Sequence, residues 1–185
     1  MTAQRIVLIR HGMPQIAEGV PSAQWKLSAD GAKASAALAE NFRGYEFAGI
    51  ASSPEPKAIG TAEALAAPLG LGIEIDAGFA EHARHSLGYL PRADMEAGVA
   101  RLFASRDERV FGDETADQLH ARFAAALARQ AAKGARDVMA VTHGTILTIY
   151  LSRTLGIEPL PFWRALTTPA ALIVESGQMR IVAPA

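Results

Sequence analysis

An α/β fold with a mostly parallel sheet and one antiparallel edge is the architecture this sequence predicts, and three observations predict it. Apolar runs of strand length recur at residues 6–9, 48–51, 73–75 and 138–141. Helical apolar patterns fill the intervals between them. The chain then closes on two strand-like segments, 171–174 and 179–182, around the turn-like Ser176-Gly177-Gln178. Strands alternating with helices at this spacing call for parallel pairing through right-handed crossovers, and a terminal hairpin supplies an antiparallel edge.

Each element has a local reason. Ile6-Val7-Leu8-Ile9 and Val138-Met139-Ala140-Val141 are continuous rather than alternating, as strands buried on both faces are. A helix over 28–43 starts at the N-cap Ser28, repeats apolar residues at Ala34, Leu38 and Phe42, and stops before Gly44. A second opens at Ser53-Pro54, with proline at its first position and Ile59, Ala62, Ala66 and Leu69 on one face. A third carries a capping box, Thr115 with Gln118, ahead of Leu119, Phe123, Ala126 and Leu127, and ends at Gly134. The fourth covers 145–155. Residues 79–112 are the least regular and read as a lid-like excursion with a helix around 92–105, while 158–163 read as a packed connection. With no linker, heptad or internal repeat, residues 1–185 are expected to form a single domain.

Composition narrows the function. A chain of 185 residues with 50% apolar and 20% charged residues buries roughly 70% of its unfolded surface and needs no cross-links. Its 18 Lys+Arg against 19 Asp+Glu give a net charge of −1, which offers no broad positive field to a nucleic acid or an anionic membrane. Cysteine is absent, which excludes thiolate nucleophiles, disulfides and cysteine-ligated metals. The apolar run after Arg5 is too short for a signal segment or a bilayer span, so a cytoplasmic protein with a small-molecule partner is expected.

The residues with chemistry fall at strand ends. His11 and His143 each follow a buried-strand pattern and precede a glycine, in Ile9-Arg10-His11-Gly12 and Val141-Thr142-His143-Gly144. Ligands of open α/β sheets bind at the carboxyl ends of strands, and glycine permits close approach there. A helix beginning directly after His143, at Gly144, aims free N–H groups at the same place. Ala51-Ser52-Ser53 leads to Lys57 in the first turn of the next helix. Arg10, Lys57, two imidazoles and a helix N-terminus converging on one pocket make an oxyanion site. The strand at 73–76 delivers Glu81, an acid able to protonate a leaving group if its pKa is raised.

These residues resemble those of the histidine phosphatase superfamily, in its phosphoglycerate mutase-like branch and among its small bacterial phosphatases. The resemblance rests on Arg10-His11-Gly12, followed in family order by Leu27-Ser28-Ala29-Asp30-Gly31, the segment from Ser53 to Ala62, Phe79-Ala80-Glu81, Gly112-Asp113-Glu114-Thr115 and Val141-Thr142-His143-Gly144. It implies a three-layer α/β/α sandwich and a phosphohistidine mechanism. His11 is then the nucleophile, Arg10, Lys57, His143 and Gly144 hold the phosphoryl group, and Glu81 is the general acid. It implies no metal and no cofactor, and a small phosphorylated substrate. Mutase-type phosphotransfer and phospho-ligand binding with little turnover are the alternatives.

Four departures stand out. Lys57 replaces an arginine and Gly60 a frequent glutamine, Ala17 stands where a polar residue is common, and Met13-Pro14 replaces the mutase-type Glu-Ser. His82 and His85 read as solvated loop histidines, His120 as structural, and Trp25 as either a hydrophobic plug or a pocket wall. Glu74, Asp76 and Glu96 compete with Glu81 for the acid's role.

Overall fold

The computed structural model describes residues 4–134 and 137–182; the remaining ends of the predicted single domain, and residues 135–136, lie outside the described residues. Among the described residues there are six strands, β1 (Arg5–Arg10), β2 (Phe47–Ser52), β3 (Ile73–Ile75), β4 (Asp137–Thr142), β5 (Ala170–Glu175) and β6 (Gln178–Val182). They form one sheet in the order β3-β2-β4-β1-β5-β6. β1, β2, β3 and β4 pair in parallel, and β5 joins β1 antiparallel, with β6 continuing that edge.

The six α-helices are α1 (Ala29–Leu38), α2 (Pro56–Leu69), α3 (Arg92–Ala104), α4 (Ala116–Ala131), α5 (Gly144–Leu155) and α6 (Pro159–Ala165). The strand side chains divide by the two-residue period into two cores, which makes three layers. Leu8, Val138, Ala140 and Leu172 pack with Leu119, Phe123, Ile146 and Leu147 of α4 and α5. Val7, Ile9, Met139, Val141 and Ile173 pack on the other face with Leu38, Ala58, Ala62 and Leu65 of α1 and α2. The three-layer sandwich with an antiparallel edge is thus the observed fold. No helix among the described residues is long and apolar enough to cross a membrane.

Local signals held where they were local. Ser28 caps α1 by accepting the Gly31 N–H at 3.0 Å. The capping box of α4 is complete, Thr115 and Gln118 satisfying each other's backbone N–H. Ser176 and Gly177, with φ of 51° and 77°, turn β5 into β6. Other boundaries differ from expectation. α2 begins at Pro56, with Glu55 as its N-cap, two residues later than the Ser53-Pro54 signal. Residues 158–163 belong mostly to a helix, α6, rather than to an irregular connection. β3 is exposed along its length because it is the sheet edge.

Candidate active site

Three strands end at one rim of the sheet. β1 and β4 are adjacent, with Arg10 opposite Thr142, and the N–H of His11 continues the ladder to the Thr142 carbonyl at 3.0 Å. β2 flanks β4 on its other side, and the Ser53 N–H reaches the Val141 carbonyl at 3.0 Å. His11, Ser53 and His143 therefore leave neighbouring strands side by side. The two imidazole centroids are 5.1 Å apart. Arg10, His11, Lys57, Glu81, His143 and Gly144 all line a single cavity of about 340 Å³.

His11 is set up by its own backbone. Its Nδ1 lies 2.7 Å from the Gly12 carbonyl oxygen, an acceptor, so Nδ1 carries the proton and Nε2 the lone pair. Burial, with the positive charges of Lys57 and Arg10 adding to it, pushes the imidazole pKa down to about 3. The ring is neutral at any ordinary pH. His143 is fully buried and its pKa is likewise lowered, by burial first and then by Lys57 and His11. Its Nε2 lies 2.7 Å from Ser53 Oγ and 3.4 Å from a Glu55 carboxylate oxygen, while its Nδ1 is buried with no partner among the described residues.

The glycines serve packing more than ligand approach. A Cβ on Gly12 would come within 2.7 Å of the Gly31 carbonyl and Ser35 Oγ, so Gly12 lets α1 lie against the end of β1. A Cβ on Gly144 would meet the Arg10 guanidinium at 3.2 Å, so the N-terminus of α5 rests against that cation. Gly60 leaves room for Leu27, which a Cβ would approach to 3.0 Å.

The cations are held from behind. Arg10 donates through Nη1 to the carbonyls of Leu166 and Thr167, and its Nε is buried with no partner among the described residues. Lys57 is 4% exposed; its ammonium donates to the Ser22 carbonyl at 2.7 Å and to the Glu55 carboxylate. One of its three N–H donors is left over for a ligand.

Glu81 departs from the expectation most. Two N–H groups of the first turn of α5 do not stand open: Glu81 takes those of Thr145 and Ile146, each at 3.1 Å, and also that of His82 at 2.8 Å. Burial alone would raise the carboxyl pKa, but the Arg84 charge and the N–H groups of His82 and Thr145 outweigh it and hold the pKa below the ordinary carboxylate value. Glu81 is here a carboxylate capping α5, not an acid of raised pKa. Its loop is fastened by Arg122, which donates to the Gly78, Ala80 and Glu81 carbonyls and pairs with Glu114 at 2.7 Å. The competing acids are engaged elsewhere: Glu74 with Lys133, Asp76 with Arg129, and Glu96 with Arg164.

The remaining candidates sort clearly. His82 is not a solvated loop residue; it is buried, stacked on Phe111, with Nε2 3.1 Å from the Glu114 carbonyl. His85 is exposed, and His120 stacks on Tyr150. Trp25 is a wall of the cavity, and so is Trp163, which the packed-connection reading excluded.

Two residues that the sequence reading missed complete the site. Glu55 holds Lys57 with one carboxylate oxygen and accepts the Glu81 N–H at 2.9 Å with the other, the one that faces His143. Arg84 lines the cavity, and its Nη1 is buried without a partner among the described residues. The only local signal was charge: a glutamate two residues before Lys57, and an arginine three after Glu81.

The family model for the histidine phosphatase superfamily (branch 1) matches residues 6–180. No curated protein gives a significant match. Among solved structures, a mycobacterial glucosyl-3-phosphoglycerate phosphatase complexed with VO3 is 23% identical, with a TM-score of 0.74 over 98% of each chain. A phosphoserine phosphatase mutant from Entamoeba histolytica in complex with phosphoserine is 16% identical, with a TM-score of 0.71, covering 97% of this chain and 95% of that one. Bacillus stearothermophilus YhfR is 16% identical at a TM-score of 0.74, covering 98% and 96%. At these identities the likeness is one of fold.

Proposed function

This chain belongs to the histidine phosphatase superfamily, and from that premise we propose that it is a phosphatase hydrolysing a small phosphorylated substrate through a phosphohistidine on His11. The observation that carries the reading is the His11 ring: Nδ1 is committed to the Gly12 carbonyl, the ring is neutral, and Nε2 holds a lone pair in a cation-lined cavity. An imidazole is a nucleophile only in that form.

In the proposed cycle His11 Nε2 attacks phosphorus, forming the N–P bond as the P–O bond to the alcohol breaks. The equatorial oxygens are met by groups without a partner among the described residues, Arg10 Nε and His143 Nδ1, and by the third N–H of Lys57. Gly144 keeps Arg10 against α5 and so sets the direction of its fork. A phosphoryl dianion arriving beside Glu81 adds negative charge, which draws a proton onto that carboxylate. The protonated Glu81 gives its proton to the leaving oxygen. It then takes one from the water that cleaves the N–P bond, which releases inorganic phosphate and restores His11.

The test is to trap the intermediate. Rapid quenching of the wild-type protein with labelled p-nitrophenyl phosphate in excess EDTA is expected to yield an acid-labile, alkali-stable protein phosphate, and His11→Ala to yield none and to lose turnover while staying folded. Turnover with no label on a burst timescale, or His11→Ala near wild-type rate, overturns the mechanism. Label without release of phosphate to water would make the protein a phosphotransferase instead.

A further inference from the structure

The far side of the cavity differs in chemistry from the phosphoryl end. The chain has two tryptophans, and both line it: Trp25 from the loop between β1 and α1, and Trp163 from α6. Ile16, 63% exposed, joins them from the same loop as Trp25, and Tyr89 and Met95 from the excursion before and within α3. These side chains come from three separate stretches of chain, so their convergence is tertiary and not a consequence of local patterning.

Trp25 is held as a wall. Its Nε1 donates to the carbonyls of Val20 at 2.9 Å and Ala17 at 3.2 Å inside its own loop, so its polar atom asks nothing of a ligand. That loop is tied down by the Gln15 N–H to the Lys26 carbonyl at 2.8 Å and by the bridge between Pro14 and Leu27. A cavity of about 340 Å³ falls in the range of sites for whole small molecules, and a phosphoryl group fills only part of it. An exposed isoleucine and two half-buried indoles in its lining are a cost to a protein that binds only inorganic or sugar phosphates.

Two cations of the cavity lining remain over, Arg84 and Arg92; Arg92 is exposed and Arg84 half-buried. Arg84 lines the cavity three residues after Glu81, and its charge leads those that lower the Glu81 pKa, so it stands beside the proposed leaving-group acid. Its buried, unpartnered Nη1 borders the same cavity. A buried guanidinium N–H without an acceptor is destabilising until a ligand supplies one.

Resting on the phosphatase reading, we propose that the preferred substrate is the phosphomonoester of an alcohol with a flat apolar body and one further anionic group, the body lying between Trp25 and Trp163 and the anion on Arg84. The leaving alcohol is recognised by shape and charge at a subsite separate from the phosphoryl pocket.

Three esters with the same primary alkoxide leaving group test this without changing intrinsic reactivity: the phosphates of ethanol, 2-phenylethanol and 4-(2-hydroxyethyl)benzoic acid. In the wild type kcat/KM is expected to rise about tenfold or more from the first to the second, as burying a phenyl group predicts. It should rise about tenfold again from the second to the third, through a charge-assisted hydrogen bond. Trp163→Ala should shrink the first ratio and Arg84→Gln the second. Equal kcat/KM for all three esters in a wild type that still forms phosphohistidine overturns the subsite and leaves the phosphatase reading intact; this arm needs no variant to fold. Absence of turnover and of label on every ester sinks the phosphatase reading itself. If Arg84→Gln slows all three esters equally and weakens vanadate inhibition, Arg84 binds the phosphoryl group and the second anion is refuted.

Discussion

Strands β1 and β4 lie side by side in the middle of the sheet, and their two ends treat charge in opposite ways. At the N-terminal ends Arg5 sits opposite Asp137 and donates two hydrogen bonds of 2.7 Å to its carboxylate. The Arg5 guanidinium also lies 3.8 Å over the Tyr45 ring, and Asp137 takes the Glu46 N–H at 2.8 Å. At the C-terminal ends His143 is buried and Arg10 half-buried, yet the buried Arg10 Nε and His143 Nδ1 are left without partners among the described residues. An unpaired buried polar atom costs about 1–3 kcal/mol. One end of the strand pair completes itself on folding; the other, under the proposed function, is completed by the phosphoryl group, and the contrast then separates charge used for stability from charge kept for chemistry.

The sharpest way to break that contrast acts on Glu81, the carboxylate that caps α5 at the uncompensated end. An alkoxide needs a proton to leave, whereas p-nitrophenolate does not. If Glu81 supplies that proton, Glu81→Gln lowers kcat/KM on alkyl phosphates by about 10²–10⁴-fold and largely spares p-nitrophenyl phosphate. If Glu81 instead serves only as the cap of α5, glutamine weakens that cap, thermal stability drops, and both substrates lose rate alike.

At the other end the expectation reverses. Asp137→Ala leaves Arg5 without its partner and the Glu46 N–H without one of its acceptors, and should cost about 3 kcal/mol of unfolding free energy by urea titration, the lower end of the range because Arg5 reaches solvent. Its kcat should stay at the wild-type value. A loss of kcat with stability unchanged would mean that the two ends are coupled.

Much of this was legible before any coordinates, and the division follows the range of the signal. Arg10, His11 and His143 were placed by strand ends and the capping box of α4 by spacing, all within a few residues. The start of α2 was misplaced because Pro54 and Pro56 give the same signal two residues apart, and because Ser53, which looked like a cap, spends its hydroxyl on His143. Glu55, Arg84 and Trp163 reach the site by tertiary placement alone, which no local pattern encodes. The direction of the Glu81 shift was missed for the same reason: the sequence shows a carboxylate and a helix start 63 or more residues apart, not that one caps the other.

Lys57 tests whether the uncompensated end counts charge or geometry. Its ammonium is shared among Ser22, Glu55 and the cavity. Lys57→Ala should weaken vanadate inhibition by about 1.5–3 kcal/mol, the worth of one charge-assisted hydrogen bond, and turnover with it. Lys57→Arg should preserve both, and Glu55→Gln, by releasing the ammonium, should tighten vanadate. If Lys57→Ala leaves inhibition unchanged, the lysine's partner is Glu55 alone and its place in the phosphate site is lost.

The smallest effect expected is on the acid side of the stability curve, and it compares the two ends directly. His11 titrates near 3 in the folded protein against 6.5 when unfolded, and His143 is lowered in the same sense, as is His82 beneath the excursion. Between those values the unfolded chain binds the extra protons, so stability is full above pH 6.5 and is lost as pH falls toward the folded pKa. Each histidine that stays neutral on folding removes about 1.4 kcal/mol at one pH unit below 6.5. Glu81, shifted down, contributes in a lower window, below the ordinary carboxylate pKa of 4.5, and does not confuse a measurement at pH 5.5. Urea midpoints at pH 7.5 and 5.5 should therefore differ in the wild type, differ less in His143→Gln, and differ as in the wild type in Asp137→Ala. A His143→Gln protein with the full wild-type loss at pH 5.5 would show that this end of the strands is already open to protons and water before any ligand arrives.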